Sequence, residues 1–177
     1  MHPQFWTRLR FAVVGAAGLV AIGVLTARFS HLHQAGEQGA RVWFYDQGTK
    51  HLYEAPRDTI APDRAGGSHG REGVRAVVVC FRGEQRDSRK RRIAYLEKYT
   101  LELKDLLERV RAARAAGQAA VEHIPARNSA YFQTNTLVKR PEEASWSPAS
   151  SPEGQRIMAE WRAWRGPDGQ SPIVCVP

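Results

Sequence analysis

The most pronounced pattern in the chain is an uncharged, apolar run over residues 11–27, which Arg10 and Arg28 close off on either side. At a helical rise of 1.5 Å per residue, a run of this length spans about 26 Å, close to the roughly 30 Å of a bilayer core. Phe29 lengthens the run, because aromatic rings are stable at the level of lipid headgroups. The pattern predicts a transmembrane helix over residues 11–29.

Two other interpretations of this run fit the sequence less well. A cleaved signal peptide needs small residues at both key positions before its cleavage site, and Leu25 before Ala27 meets that requirement poorly. A helix in the core of a soluble domain would carry a polar face, which this run lacks. Arg8 and Arg10 outweigh Arg28 near its ends, and basic flanks stay in the cytoplasm. We therefore expect a single-pass protein of the inner (cytoplasmic) membrane with a periplasmic C-terminal domain.

The remainder of the chain divides at a short polar stretch. Residues 1–10 precede the apolar run as an N-terminal tail, and residues 30–40 are polar and contain glycine, which is typical of a tether. Alternating and periodic apolar residues then continue over residues 41–177. We expect this last segment to be one extracytoplasmic domain, because its length is that of an ordinary single domain.

Strand patterns open this domain. Residues 41–45 are rich in aromatic and β-branched side chains, residues 46–49 have the composition of a turn, and residues 51–53 return as a second short strand. The aromatic side chains of this hairpin are expected in the core rather than in a binding platform. Residues 74–81 are apolar almost throughout, which predicts a central strand of a sheet.

A helical pattern follows the central strand. Asp87 or Ser88 can cap a helix that ends at Gly117, or Thr100 can cap a second helix with a break after Tyr99. Steps of three and four residues mark one buried stripe, made of Ile93, Leu96, Thr100, Leu103, Leu107 and Val110.

The C-terminal third mixes both patterns. Strands are predicted around residues 131–132 and over residues 136–139, and a short return strand or loop over residues 145–147. Ser151 as cap and Pro152 at the first helical position start a last helix. An edge strand over residues 173–176 completes the domain. The fold class predicted is α+β: an N-terminal transmembrane helix followed by a small mixed domain with a short antiparallel sheet and two or three helices.

Composition and charge narrow the range of partners. Of the 177 residues, 42% are hydrophobic and 25% charged, as in a globular protein, and the net charge is +8. Such a surface attracts polyanions, which outside the cytoplasm are anionic lipids or acidic wall polymers more readily than nucleic acid. The predicted contact residues begin the long helix, where the macrodipole disfavours cations and a bound polyanion would offset them. They are Arg86, Arg89, Lys90, Arg91 and Arg92. The alternative is an ordinary solvated face.

The sequence contains only weak indications of a catalytic site or a metal site. Ser68 lies in a G-x-S-x-G pattern at residues 66–70, but a proline-containing loop precedes it and a strand follows, unlike a nucleophile elbow. A small hydrolase would use one of Ser68, His51, His69 or His123 with an acid, and the sequence offers no base and nucleophile at a diagnostic spacing. The H-x-H pair in the tether has no third ligand nearby in sequence. We expect no metal, no cofactor and no catalytic residue.

The two cysteines, Cys80 and Cys175, are far apart in sequence. In an oxidising compartment such a pair can form a disulfide, and otherwise both can be buried free thiols. The residues alone leave these two states open.

Five sequence blocks carry a resemblance to a known group. The blocks are VWFYD, GVRAVVVC, RIAYLEKYT, SPEGQRIMAEW and a terminal PDGxxPxxCxP. They resemble an uncharacterised group of short bacterial proteins with one N-terminal membrane helix and no known activity. That group often has four cysteines; Cys80 and Cys175 match the outer two, whereas Gly83 and Gly166 stand at the inner positions. The resemblance implies a disulfide rather than zinc, because two sulfurs do not complete a tetrahedral site.

These observations predict a membrane-anchored, non-enzymatic binding or assembly module of the bacterial cell envelope. Its partners would be the bilayer, through residues 11–29, and another envelope protein or an acidic polymer. A small hydrolase with a spatially assembled site and a polyanion-binding domain are the alternatives.

Overall fold

The computed structural model describes residues 40–64, 72–118 and 123–177. The predicted transmembrane helix, the tail before it and all but the last residue of the tether lie outside these ranges. In the described residues, none of the helices combines the length and the apolar character that crossing a membrane requires. The chain divides into units of residues 1–40 and 41–177, and the second is described here.

An antiparallel hairpin begins the domain, as predicted. Strands β1 (Arg41–Asp46) and β2 (His51–Pro56) pair along their whole length. Asp46 closes the turn, since its Oδ1 accepts hydrogen bonds from the backbone N–H of Gly48 at 2.8 Å and of Thr49 at 3.1 Å. This Asp is 2% exposed, so the two bonds stabilise a carboxylate that water reaches poorly.

Strand β3 (Gly73–Cys80) is central, which confirms the prediction from its apolar sequence. One edge of β3 pairs with β1 near residues 73–75 and with the short strand β7 (Ile173–Val174) near residues 79–80. Strand β4 (Arg92–Tyr99) covers the other edge.

The prediction of one long helix from Asp87 or Ser88 is wrong. Residues 92–99 form β4, and the helix α1 (Leu101–Ala115) begins after Thr100. Thr100 caps this helix, since its side chain accepts a hydrogen bond from the Leu103 N–H. The alternative break after Tyr99 is correct, but the segment before it is a strand and not the first of two helices. Residues 92–99 fit both periods, and pairing with β3 on one edge and with residues 136–139 on the other selects the strand.

The remaining elements complete the sheet and its cover. Strands β5 (Thr136–Lys139) and β6 (Ser147–Pro148) extend it to the order β2-β1-β3-β4-β5-β6, with β7 beside β3. Residues 131–132, predicted as a strand, belong instead to the short helix α2 (Ala130–Thr134), which Ser129 caps. Helix α3 (Pro152–Glu160) begins at Ser151 as predicted.

All pairings of the described strands are antiparallel, and the three helices of the described residues confirm the α+β class.

Two layers of apolar side chains hold the sheet. Helices α1 and α2 contribute Leu103 and Phe132, which pack with Tyr99 of β4, and α3 contributes Ile157, which packs with Val138 of β5. The second layer contains alternate residues of β3 together with aromatic side chains of β1. Its members are Trp43, Tyr45, Val74, Ala76, Val78, Cys80, Leu96 and Cys175. The β1 aromatics are thus core residues, as expected.

Candidate anion-binding surface

The connection between β3 and β4 is strongly basic, and we call it, together with the first residue of β4, the basic loop (residues 81–92). It contains six cations and only two carboxylates, those of Glu84 and Asp87, so four positive charges are in excess. The cations are Arg82, Arg86, Arg89, Lys90, Arg91 and Arg92.

Backbone turns define the shape of the basic loop. The N–H of Glu84 donates to the carbonyl of Phe81 at 3.0 Å, and the N–H of Asp87 donates to the carbonyl of Glu84 at 3.0 Å. Asp87 then caps a 3-10 turn over Ser88–Lys90 by accepting from the Arg89 N–H. Gly83 has a φ of +90°, which a residue with a side chain rarely adopts. Because the backbone holds the loop, most of its cationic side chains are not needed to shape it.

The two carboxylates of the loop are each paired with one cation. Lys90 Nζ lies 3.0 Å from Glu84 Oε1, and this hydrogen bond raises the pKa of Lys90. Arg89 Nε lies 3.6 Å from Asp87 Oδ1, and its side chain is 91% exposed. Pairs this exposed contribute little free energy to folding. The basic loop therefore keeps its charge surplus at the surface.

Arg91 has a structural position in the loop. Its guanidinium lies 4.7 Å from the ring centroid of Trp43, and its Nη2 donates to the carbonyl of Gln85 at 3.4 Å. It is half-buried, and within the described residues its buried Nε has no hydrogen-bond partner. Of the five predicted contact residues, the other four are exposed: Arg86, Arg89, Lys90 and Arg92.

These cations do not lie at the start of a long helix. All but Arg92 precede strand β4, Arg92 is its first residue, and the next long helix begins only at Leu101. A helix macrodipole therefore does not act on them, and the exposed charge alone makes this surface a candidate.

Gly166, far along the chain, packs against Phe81, the first residue of the basic loop. Arg92 lies over the ring of Phe81, and the backbone at Gly166 abuts the same ring, so a Cβ at Gly166 would meet a Phe81 ring carbon at 2.5 Å. Arg165 precedes Gly166 in the sequence and is exposed, so one further cation lies within one residue of this contact. The sequence gives no sign of the contact, because it joins residues that lie far apart along the chain.

The C-terminal strand lies at the base of the same loop. Cys80, the last residue of β3, forms a disulfide with Cys175, and their Cα atoms are 6.0 Å apart. The Nε1 of Trp43 donates to the carbonyl of Cys175 at 3.0 Å. Val174 and Val176 are 54% and 74% exposed, and Val174 is paired with Val79, one residue before the end of β3.

Two of the residues considered for catalysis lie in the described ranges. His51 and His123 are both exposed, one at the start of β2 and one in the connection before α2. Ser68 and His69 lie outside the described residues. Within the described ranges no group of three or more His, Cys, Asp or Glu side chains could hold a metal ion.

A groove of about 500 Å³ lies at the opposite end of the sheet. Its charges are largely paired with one another: Lys98 lies 3.5 Å from Glu72, and Lys104 lies 3.6 Å from Glu108. Lys104 also donates to the carbonyl of Pro62 at 2.6 Å. The groove therefore offers a ligand little uncompensated charge, unlike the basic loop.

No protein-family model, curated protein or solved structure matches the chain.

Proposed function

We propose that the chain is a membrane-anchored, non-enzymatic binding or assembly module of the bacterial cell envelope. In this proposal residues 11–29 cross the inner membrane once, and the domain of residues 41–177 lies in the periplasm. The domain acts by presenting the basic loop to an anionic partner, which is an anionic lipid surface, an acidic polymer or another envelope protein.

The observation that carries the proposal is the exposed charge surplus of the basic loop. Arg82 and Arg86 are exposed and have no carboxylate within 4 Å among the described residues. Six cations on twelve consecutive residues repel one another, and an anionic partner lowers that energy. The backbone hydrogen bonds of the loop keep these charges together before any partner binds, which reduces the entropy lost on binding.

Membrane attachment is tested on the full chain in bacterial cells. We expect the chain to stay with the membranes after a carbonate wash, and a phosphatase fused to its C-terminus to be active, since this enzyme requires the periplasm. Release by carbonate would contradict the anchor, and an inactive fusion would contradict the orientation.

Binding through the basic loop is tested on the detergent-solubilised full chain with immobilised heparin as a model polyanion. Arg86→Gln with Arg89→Gln is compared with Arg111→Gln with Arg114→Gln, a pair of exposed arginines on helix α1. Both variants lose the same charge, so a general effect of net charge would weaken them equally. We expect the first to elute at clearly lower salt than the second, because each phosphate or sulfate contact contributes to the salt dependence. Elution of both variants at the same salt concentration would show that the basic loop is not the binding surface.

A further inference from the structure

The polarity of the strands places the basic loop at the end of the sheet where the chain enters the domain. Strand β1 starts at Arg41 and runs antiparallel to β3, so that Asp46 is paired with Gly73 and Phe44 with Arg75. The start of β1 and the end of β3 therefore point the same way. The basic loop follows the end of β3, and residue 40, which leads back to the predicted membrane segment, precedes β1.

From this topology we infer that the basic loop binds the anionic lipid headgroups of the membrane that anchors the chain. The inference rests on the proposed membrane attachment and goes further, because it names the partner of the loop and the orientation of the domain. The loop end of the sheet faces the bilayer, and the turn between β1 and β2 faces away from it.

The tether length makes this contact geometrically available. Residues 30–40 number eleven, so even a fully extended tether reaches only about 40 Å. A surface held so close to the bilayer meets the headgroups at a high effective concentration, and weak contacts then suffice. The opposite turn lies farther away by the length of β3, whose eight residues span about 26 Å.

The side chains around the loop have the composition of a membrane-surface contact. Exposed cations attract anionic headgroups, and neighbouring apolar side chains enter the interfacial region. Val174 is paired with Val79 at the loop end of β3, and both Val174 and Val176 are largely exposed. A protein partner with acidic side chains could use the cations as well, but an exposed apolar side chain at the loop end of the sheet, that of Val174, favours lipid.

The test places a photoreactive amino acid at Ser88, an exposed, uncharged position in the 3-10 turn of the loop. The control position is Thr49, exposed in the turn at the other end of the sheet. The full chain is reconstituted in vesicles with about a third of phosphatidylglycerol in phosphatidylcholine, and lipid adducts are counted by mass spectrometry. We expect several times more lipid adducts from Ser88 than from Thr49, and a fall with high salt or with phosphatidylcholine alone.

Charge variants sharpen the test. Arg86→Gln with Arg89→Gln should lower the yield from Ser88 by roughly fivefold for each arginine removed, whereas Arg111→Gln with Arg114→Gln should leave it unchanged. Equal lipid yields at the two positions, or adducts from Ser88 to a protein in native membranes, would overturn the lipid inference. A carbonate-extractable chain would instead overturn the membrane attachment, so the two failures are distinguishable.

Discussion

The domain contains two regions rich in charge that are built in opposite ways. In one, Arg140 after β5 meets the carboxylates of Glu143, Glu153 and Glu160, and its side chain is only 17% exposed. In the other, the basic loop, six cations share two carboxylates at the surface. The first region, which we call the Arg140 cluster, joins β5 to helix α3 by charge-assisted hydrogen bonds. The difference indicates that charge stabilises the fold in the Arg140 cluster and remains available to a partner in the basic loop.

The largest effect on stability is expected from the disulfide that holds the base of the basic loop. Replacing Cys80 and Cys175 together with Ala releases a crosslink that spans 95 residues of sequence. The chain-entropy model gives a loss of about 4 to 5 kcal/mol for a loop of that size. Urea unfolding of the full chain in detergent, compared with the reduced and oxidised wild type, measures it. A loss below about 1 kcal/mol would show that the bond constrains neither the sheet edge nor the loop.

The Arg140 cluster should give the next largest effect. Arg140→Met leaves three carboxylates without their common partner and breaks hydrogen bonds of 2.6 Å to Glu143 and 3.0 Å to Glu153. We expect Tm to fall by about 5 to 10 °C, because hydrogen bonds to charged groups contribute more than neutral ones. Scanning calorimetry measures the change, and binding to heparin should stay as in the wild type. A variant with the same Tm as the wild type would show that the cluster does not stabilise the fold.

The pH dependence of stability separates the two regions further. Hydrogen bonds from Arg140 hold the pKa values of Glu143 and Glu153 below their ordinary value of 4.5. Because the folded pKa is the lower one, their contribution is present above pH 4.5 and is lost as the pH falls through the folded values. Urea unfolding between pH 6 and pH 2.5 should show this loss in the wild type. Arg140→Met should show much less of it, and an identical slope in both proteins would contradict the assignment.

The strands and helices of the domain differ in how far the sequence predicts them. Ser151 and Pro152 specify the start of α3 locally, and the apolar run before Cys80 specifies a central strand, so both were predicted. Residues 92–99 satisfy both a helical and a strand period, and only pairing with β3 and β5 selects the strand. Tyr131 and Phe132 are aromatic, as strand residues often are, but the Ser129 cap starts a helix there.

Candidate sites likewise divide into those that local sequence predicts and those that tertiary contacts form. The cations of the basic loop lie within twelve residues and are therefore visible in the sequence. The packing of Gly166, the neighbour of Arg165, against Phe81 is not visible there. The three carboxylates around Arg140 likewise come from α3 and from the turn after β5. Local sequence predicts where charge is abundant, and tertiary contacts decide which of it is paired.

Arg91 is the one predicted contact residue that we expect to act in the fold. Arg91→Leu removes the guanidinium from the Trp43 ring and its hydrogen bond to the Gln85 carbonyl. A cation over an aromatic ring stabilises by about 0.5 to 2 kcal/mol, so a loss of about 1 kcal/mol is expected in urea unfolding. Heparin binding should fall less than in the Arg86 and Arg89 double variant. The reverse order would place Arg91 among the contact residues and weaken the division between the regions.

The smallest effect on stability should come from the exposed arginines of the basic loop. Arg86→Gln with Arg89→Gln removes no buried contact, and the one ion pair affected, Arg89 with Asp87, is 3.6 Å long and exposed. Removing two of the excess cations also relieves repulsion among those that remain. The free energy of unfolding should therefore stay within about 0.5 kcal/mol of the wild type, even though anion binding is weakened. If this variant instead unfolded as readily as Arg140→Met, the cations would be holding the loop together, and a reduced binding signal could no longer be read as the loss of a contact surface.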